Sequence, residues 1–320
     1  NLIATTGTIA FNQNLTVTTL TTVGNAYNVA LNGTGSFVTA DTTFLNTGTV
    51  TLGNGALDIT QFTNGVRTTG SATNPSVTII GGRLLTTNTH IDLGPVTLSS
   101  PSIIESTNGG AGAGAAINIV SVGSLGSSLT LLSHTGATTV SGNVLGIGAL
   151  TLQQNNALAT GAMSFDGSVS ATSIITFGQN YKVSLNGGGT ISTVGATTFN
   201  NLGTLTLGDG ALDILTFAGS VVATAPGIRD IAGTISVANA GAAINLGGAN
   251  PINVTATTLL GGAGTGAITL GAAVVLPDGV TLTLGAGAAS SVSTQAISGT
   301  AGGAVSNLTI NSTALVTIGG

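Results

Sequence analysis

Cysteine and tryptophan are absent from this 320-residue chain, and Lys, Glu and Met each occur once. Without cysteine there are no disulfides, no thiol chemistry and no Cys-based metal sites. That fits either a reducing compartment or a chain that crosses membranes unfolded. Charged residues make up 4% and aromatics 3% of the sequence, where a soluble domain carries about 25% charge. The four bases, Arg67, Arg83, Lys182 and Arg229, lie far apart within a net charge of −5. No basic stripe is present to neutralise phosphates, which speaks against nucleic-acid partners. Mean hydropathy is +0.56, yet no apolar run reaches the ~18 residues of a spanning helix. A membrane barrel would want aromatic girdles, which 2 Tyr and no Trp do not supply. Good helix formers are scarce and no long stretch keeps a 3.6-residue period. The chain begins at Asn1 without a signal-like segment and reads as a processed product or an excised piece.

What is present is Gly, 51 residues of it, and 42% apolar residues. This apolar content with so little charge excludes the usual disordered class. Thr, Val, Ile and Leu occur in short runs separated by Gly, Asn and Ser, the pattern of many short strands joined by turns.

The strongest signal is repetition. Thr51–Ile59, TLGNGALDI, returns as Thr206–Ile214, TLGDGALDI, at an offset of 206 − 51 = 155. Phe11, Tyr27, Phe44 and Phe62 meet Phe165, Tyr181, Phe199 and Phe217 at offsets of 154 or 155. The word AAIN at Ala115–Asn118 recurs at Ala242–Asn245, an offset of only 242 − 115 = 127. The second copy is therefore shorter by the difference between the two offsets, close to one turn of a coil. A coil can lose a whole turn because its neighbours restack. The predicted fold is accordingly all-β, a parallel β-helix (β-solenoid) with coils of roughly 20 to 25 residues. It is read as continuous over residues 1–320, with repeat units 7–160 and 161–302 and the start of a third at 303–320. A duplicated antiparallel sandwich is the competing fold, in which Asn54-Gly55 and Asp209-Gly210 would turn hairpins. In the repeated word, Asn54 and Asp209 are placed at a turn and Leu57 and Leu212 inward. Both ends of the chain read as cut rather than capped, as in a segment of a longer array or a subunit whose ends stack.

At residues 111–132, AGAGAAINIVSVGSLGSSLTLL, and 238–254, ANAGAAINLGGANPINV, the chain resembles passenger regions of bacterial autotransporter surface proteins. The rickettsial outer-membrane-protein-B type is the nearest, and filamentous-haemagglutinin adhesins are similar more loosely. The resemblance implies a right-handed parallel β-helix on the bacterial cell surface, acting in adhesion, invasion or as a protective layer. Calcium-binding glycine repeats do not fit, because GGAGAGAAIN at 109–118 has no Asp at the ligand position.

Parallel β-helices can also carry carbohydrate-active sites, which need two carboxyls on one face. Asp58 and Asp213 are equivalent positions one repeat apart, some 30 Å at ~4.8 Å per coil, and cannot act together. Asp41, Asp92, Asp166, Asp230 and Asp278 read as single corner or edge residues. Only His90, Asp92, Glu105 and His134 share a region where coil stacking could assemble a metal or acid-base group, and the second copy lacks all four. Arg229-Asp230 reads as a surface ion pair worth under about 1 kcal/mol. Asn32 with Asn186, and Asn46 with Asn201, are placed in corner amide ladders. The sequons at Asn14, Asn32, Asn253, Asn307 and Asn311 are given no role. Thr-x-Thr at Thr16, Thr47, Thr49, Thr204 and Thr281 is too irregular for a flat ice-ordering array.

The sequence thus predicts no catalytic, cofactor or metal site and no enzyme. It predicts a structural extracellular rod that extends a fibre, sheath or layer by stacking on itself head-to-tail or laterally. The alternative is an adhesin passenger that binds host glycans, host proteins or abiotic surfaces weakly and multivalently.

Overall fold

The computed structural model describes residues 1–319. The chain divides into two compact units, Asn1–Met163 and Ser164–Gly320. Each is a parallel β-solenoid, and the described residues contain no helix. The competing sandwich is excluded by the strand pairing. Thr49–Leu52 lies parallel between Ala26–Leu31 and the start of Val77–Thr86, and Ile59–Phe62 lies parallel between Gly35–Val38 and the end of Val77–Thr86. Asn54-Gly55 therefore turns a corner of the coil and makes no hairpin.

In the first unit one column runs Val29, Val50, Thr78, Val96, Val122, Val144. Its coils are uneven: the shortest leads from Thr78 to Val96 and the longest from Val50 to Thr78. The long coil carries the excursion at 68–76 between Arg67 and Val77, and a second excursion spans 107–116. The second unit is more regular. Its column Val183, Leu205, Arg229, Ile252, Val274, Ile297 is almost evenly spaced along the chain. Alternation along each short strand sends every second side chain inward, so stacked coils line the bore with apolar columns.

The segment that the second copy lacks can be located in this register. Ile117 lies two coils beyond Val66, through Ile91, whereas Ile244 lies one coil beyond Val221. The AAIN word is displaced by a whole coil.

The repeated nine-residue word builds the same corner in both units. The carboxylate of Asp58, Oδ2, accepts the backbone N–H of Asn54 and of Gly55, both at 2.9 Å. Asp213 accepts those of Asp209 and Gly210 at 2.9 and 2.7 Å. The corner rests on a glycine of the next coil: Gly82 and Gly233, at φ 80° and 69°, would each drive a Cβ into the carbonyl oxygen of Asp58 or Asp213 at 2.3 Å. Leu57 and Leu212, placed inward on sequence, instead point to solvent at 89% and 93% exposure. The Asp needs its carboxylate beneath the turn to satisfy two N–H groups, and that puts the preceding Leu on the outside.

Further equivalent pairs keep equivalent partners. Phe44 and Phe62 meet edge to face at 6.1 Å, and Phe199 and Phe217 at 6.4 Å. The Tyr27 hydroxyl accepts the backbone N–H of Val23, and that of Tyr181 accepts the N–H of Phe177. Both rings are fully buried.

Candidate functional site

The first unit carries one concentrated group of ionisable side chains. Strand register stacks Thr43, Arg67, Asp92, Asn118 and Thr139 in an outward column. Arg67 donates from Nη1 to Asp41 at 2.6 Å and lies with Nε 3.2 Å from Asp92. Asp92 also accepts from Asn118 at 2.7 Å. His90 Nε2 is 3.4 Å from Asp41 and 4.0 Å from Asp92, while Nδ1 is 3.4 Å from Arg67 Nη2. A guanidinium can only donate, so Nδ1 accepts and the imidazole hydrogen sits on Nε2. Nε2 is buried and makes no hydrogen bond of good geometry. The sequence placed His90 and Asp92 together. It did not bring in Asp41, which reads as a lone corner residue, or Arg67, because neither is near Asp92 along the chain.

Glu105 and His134 belong to separate networks, and the four-residue group drawn from sequence does not form. Glu105 is fully buried in a column between Leu85 and Leu132. It pairs with Arg83 at 2.7 Å and accepts from the N–H of Gly109 at 3.1 Å and the Thr107 hydroxyl at 3.3 Å. Asn108, Gly109 and Gly110 are all left-handed, with φ of 53°, 74° and 81°. The run curls the 107–116 loop over Glu105, with the N–H of Gly109 on the carboxylate and that of Gly110 on the Thr107 hydroxyl.

His134 pins the same loop. Its Nδ1 lies 2.6 Å from the Gly112 carbonyl and its Nε2 2.8 Å from Gln154 Nε2. The carbonyl accepts and the amide donates, so His134 is the neutral Nδ1–H tautomer. Among the described residues no group of three His, Asp or Glu side chains is arranged to hold a metal ion.

Arg229 is not half of a surface pair. It is 1% exposed and points into the bore, while Asp230 points out and accepts from Asn253 at 2.8 Å. Adjacent strand residues face opposite sides, so the two side chains cannot meet. The Arg229 guanidinium donates to the carbonyls of Pro226 and Gly247 at 3.0 and 3.1 Å and to that of Asn250. Burial pushes its pKa below the usual arginine value. It ties the turn at 224–227 to the turn of the next coil, and is a structural clamp.

The remaining acids cap or brace corners. Asp166 accepts from Asn186 at 2.9 Å and from Ser164 at 2.8 Å, and Asp278 accepts from Thr300 at 2.8 Å. Asn32 donates to Asn12 at 3.0 Å, a two-step amide contact along the axis. Asn46 and Asn201 form no ladder. Each is fully buried and donates to two backbone carbonyls, those of Tyr27 and Thr49 or of Tyr181 and Thr204. An inward amide has no second amide above it and takes the carbonyls that the corner leaves open. Of the sequon residues, Asn14 accepts the N–H of Gly35 at 2.9 Å. Thr-x-Thr does not recur on successive coils: Thr49 stacks on Val77, Thr204 on Ile228 and Thr281 on Asn307.

No protein-family model, no curated protein and no solved structure matches this chain. Fold and side-chain networks together define a parallel β-solenoid whose polar groups are spent mainly on corners and clamps.

Proposed function

We propose that this chain is a structural, non-enzymatic element of the bacterial cell surface, a β-solenoid that extends a fibre, sheath or layer by stacking on further copies. One observation carries the reading. What the two units share, with the same partners in each, is scaffold: the Asp58 and Asp213 corners, the buried Asn46 and Asn201, the Tyr27 and Tyr181 hydroxyls and the two Phe pairs. The one concentrated ionisable group, around Arg67, occurs in the first unit alone. Repetition that keeps corners and cores while letting charged groups vary suits a protein whose task is length. The surface location rests on the resemblance to autotransporter passengers. Electron microscopy and sedimentation of the purified chain test the proposal. Filaments or laterally packed sheets that grow with concentration are the expected result, and monodisperse short particles under all conditions would sink it.

A second reading, an adhesin passenger, is favoured by the excursions at 68–76 and 107–116. They add loops between the strands of the coil, and binding residues are commonly carried on loops. Shortening either loop would then reduce attachment to host cells or glycan surfaces without changing filament formation.

A further inference from the structure

In a solenoid each turn ordinarily contacts only the turn before and the turn after it. The two excursions of the first unit reach further. The register of Leu85, Glu105 and Leu132, with Leu131 on Leu152, places the 107–116 loop on the coil of Glu105, between the coil of Leu85 and those of Leu132 and Leu152. The Gly114 N–H donates to Asn88 Oδ1 at 2.8 Å, one coil back. The carbonyls of Gly112 and Ala113 accept from His134 at 2.6 Å and from the Thr135 hydroxyl at 2.9 Å, one coil on. The Gly110 carbonyl accepts from Gln154 at 3.4 Å and from Asn156 at 3.3 Å, two coils on. Gln154 also donates to His134 Nε2 at 2.8 Å, which joins the two following coils at the same point. Only glycine suits position 110: φ is 81°, and a Cβ would meet Gln154 Nε2 at 2.9 Å.

The 68–76 loop reaches the other way. Backbone bonds from Thr47 to Asn25 and from Ser76 to Gly48 set its corner above two earlier ones. The Thr73 hydroxyl donates to the Leu45 carbonyl at 2.7 Å, one coil back. The same side chain stands against the corner before that, where a Cβ on Gly24 would meet Thr73 Oγ1 at 2.8 Å. Between them the loops touch every coil of the column Val29, Val50, Thr78, Val96, Val122, Val144.

We infer that these loops are straps that lock the first unit into one cooperative block, so that its coils open together and not one at a time. A stack coupled only through neighbours parts at its weakest interface, because breaking one interface leaves the others intact. A strap that holds across two interfaces must let go before either can open. The inference concerns the single chain and stands whether or not copies stack on one another.

The second unit is a built-in comparison. Its connection from Val222 to Ile228 is the short segment 223–227, where the first unit has 68–76 between Arg67 and Val77. The segment before its AAIN word bonds one coil away, with the Asn239 N–H on the Ala218 carbonyl, the Gly266 N–H on the Ala242 carbonyl and the Gly241 N–H on the Thr265 hydroxyl. Among the described residues neither segment hydrogen-bonds beyond the adjoining coil.

Hydrogen exchange of the full folded chain, read peptide by peptide in a mass spectrometer, tests this. Coils that open as a block share one protection factor, and coils that open singly show a graded series. The expected result is shared protection from the coil of Val50 to that of Val144, and graded protection across the second unit. In Gln154→Ala combined with Asn156→Ala, which removes the two-coil bonds, the coil of Val144–Leu152 should leave the block. It should exchange about tenfold faster than that of Ile117–Gly123, the scale of one or two lost hydrogen bonds. Thr135→Ala, which loses a one-coil bond of the same loop, should keep the shared value. Graded protection in the first unit of the parent chain would overturn the inference, as would equally shared protection in the second unit, which has no straps. A double variant that keeps the shared value, or a Thr135→Ala chain that loses it, would show that two-coil reach is not what couples the coils and would overturn it too.

Discussion

Arg83 and Glu105 meet across one coil spacing, Nη2 to Oε1 at 2.7 Å, with the guanidinium one-third exposed at 33% and the carboxylate at 0%. The acid sits in a column whose neighbours are Leu85 and Leu132. Its burial is tolerable because Arg83, Gly109 N–H and the Thr107 hydroxyl all face it.

Removing one side of a buried pair leaves an uncompensated charge. Arg83→Met should therefore destabilise the chain by about 3 kcal/mol in denaturant unfolding, near the lower end for broken buried pairs. Glu105→Ala should do the same and also free the 107–116 loop, read as faster proteolysis within that loop. The double variant should cost much less than the sum of the two. Additive costs would show that the pair is not coupled.

The Asp58 and Asp213 corners predict matched effects. Asp58→Ala and Asp213→Ala each strip the acceptor from two backbone N–H groups and should each cost about 1 to 2 kcal/mol, as lost caps do. Leu57→Ser, one residue away and 89% exposed, should change stability by less than about 0.5 kcal/mol. Thermal or denaturant unfolding of the three variants decides it. A costly Leu57→Ser beside a silent Asp58→Ala would reverse the assignment.

Asp209 differs from its counterpart Asn54 by a charge. Partial desolvation, then the negative charge of Asp213, its hydrogen bond and the charge of Asp166, hold the Asp209 carboxyl above the usual aspartate range. A raised carboxyl pKa contributes stability at acid pH, below the unfolded-state value, and loses it as pH rises through the folded-state value. Asp209→Asn should therefore be more stable than the parent at neutral pH, by less than about 1 kcal/mol because the group is solvent-screened. The two proteins should converge as the pH falls. A pH series of unfolding midpoints reads this directly.

Tyr181 governs the alkaline limb. Burial pushes its phenol up to about 12, against smaller opposing effects of its hydrogen bonds with Phe177 and Thr176. The folded state therefore holds the proton more tightly than the unfolded chain. The stability this contributes is complete below the unfolded value of about 10 and is lost as pH rises through the folded one. Stability should drop by about 3 kcal/mol over that window. In Tyr181→Phe the drop should shrink, and tyrosinate absorbance should lose its late-titrating component.

The coil, its period and the lost turn were legible in the sequence. Short strands punctuated by Gly, and a word that returns one whole turn early in the second copy, leave few other folds. The strand pairs Val66–Ile91 and Val221–Ile244 then place AAIN two coils on in one unit and one coil on in the other. Side-chain direction was less legible. Leu57 in TLGNGALDI reads as core because it is apolar, yet two N–H groups three and four residues before Asp58 claim the inward position for its carboxylate. Arg229 reads as surface because it is charged, yet strand alternation turns it into the bore. The Arg67 group was only half visible, since Asp41 and Asp92 reach the same guanidinium from the coils on either side of it.

Composition and repetition by themselves determined the architecture. A chain with so little charge and so few aromatics, rich in β-branched residues and glycine, buries enough surface only by stacking short strands into layers. What tertiary structure alone decided was which polar groups are spent inside. That depends on which carbonyl, N–H or counter-charge the neighbouring coil presents, a relation between residues about twenty positions apart that differs from coil to coil. Glu105 is buried because Arg83 stands one coil before it, and Arg67 is held between two carboxylates because Asp41 and Asp92 stand on the coils either side of it.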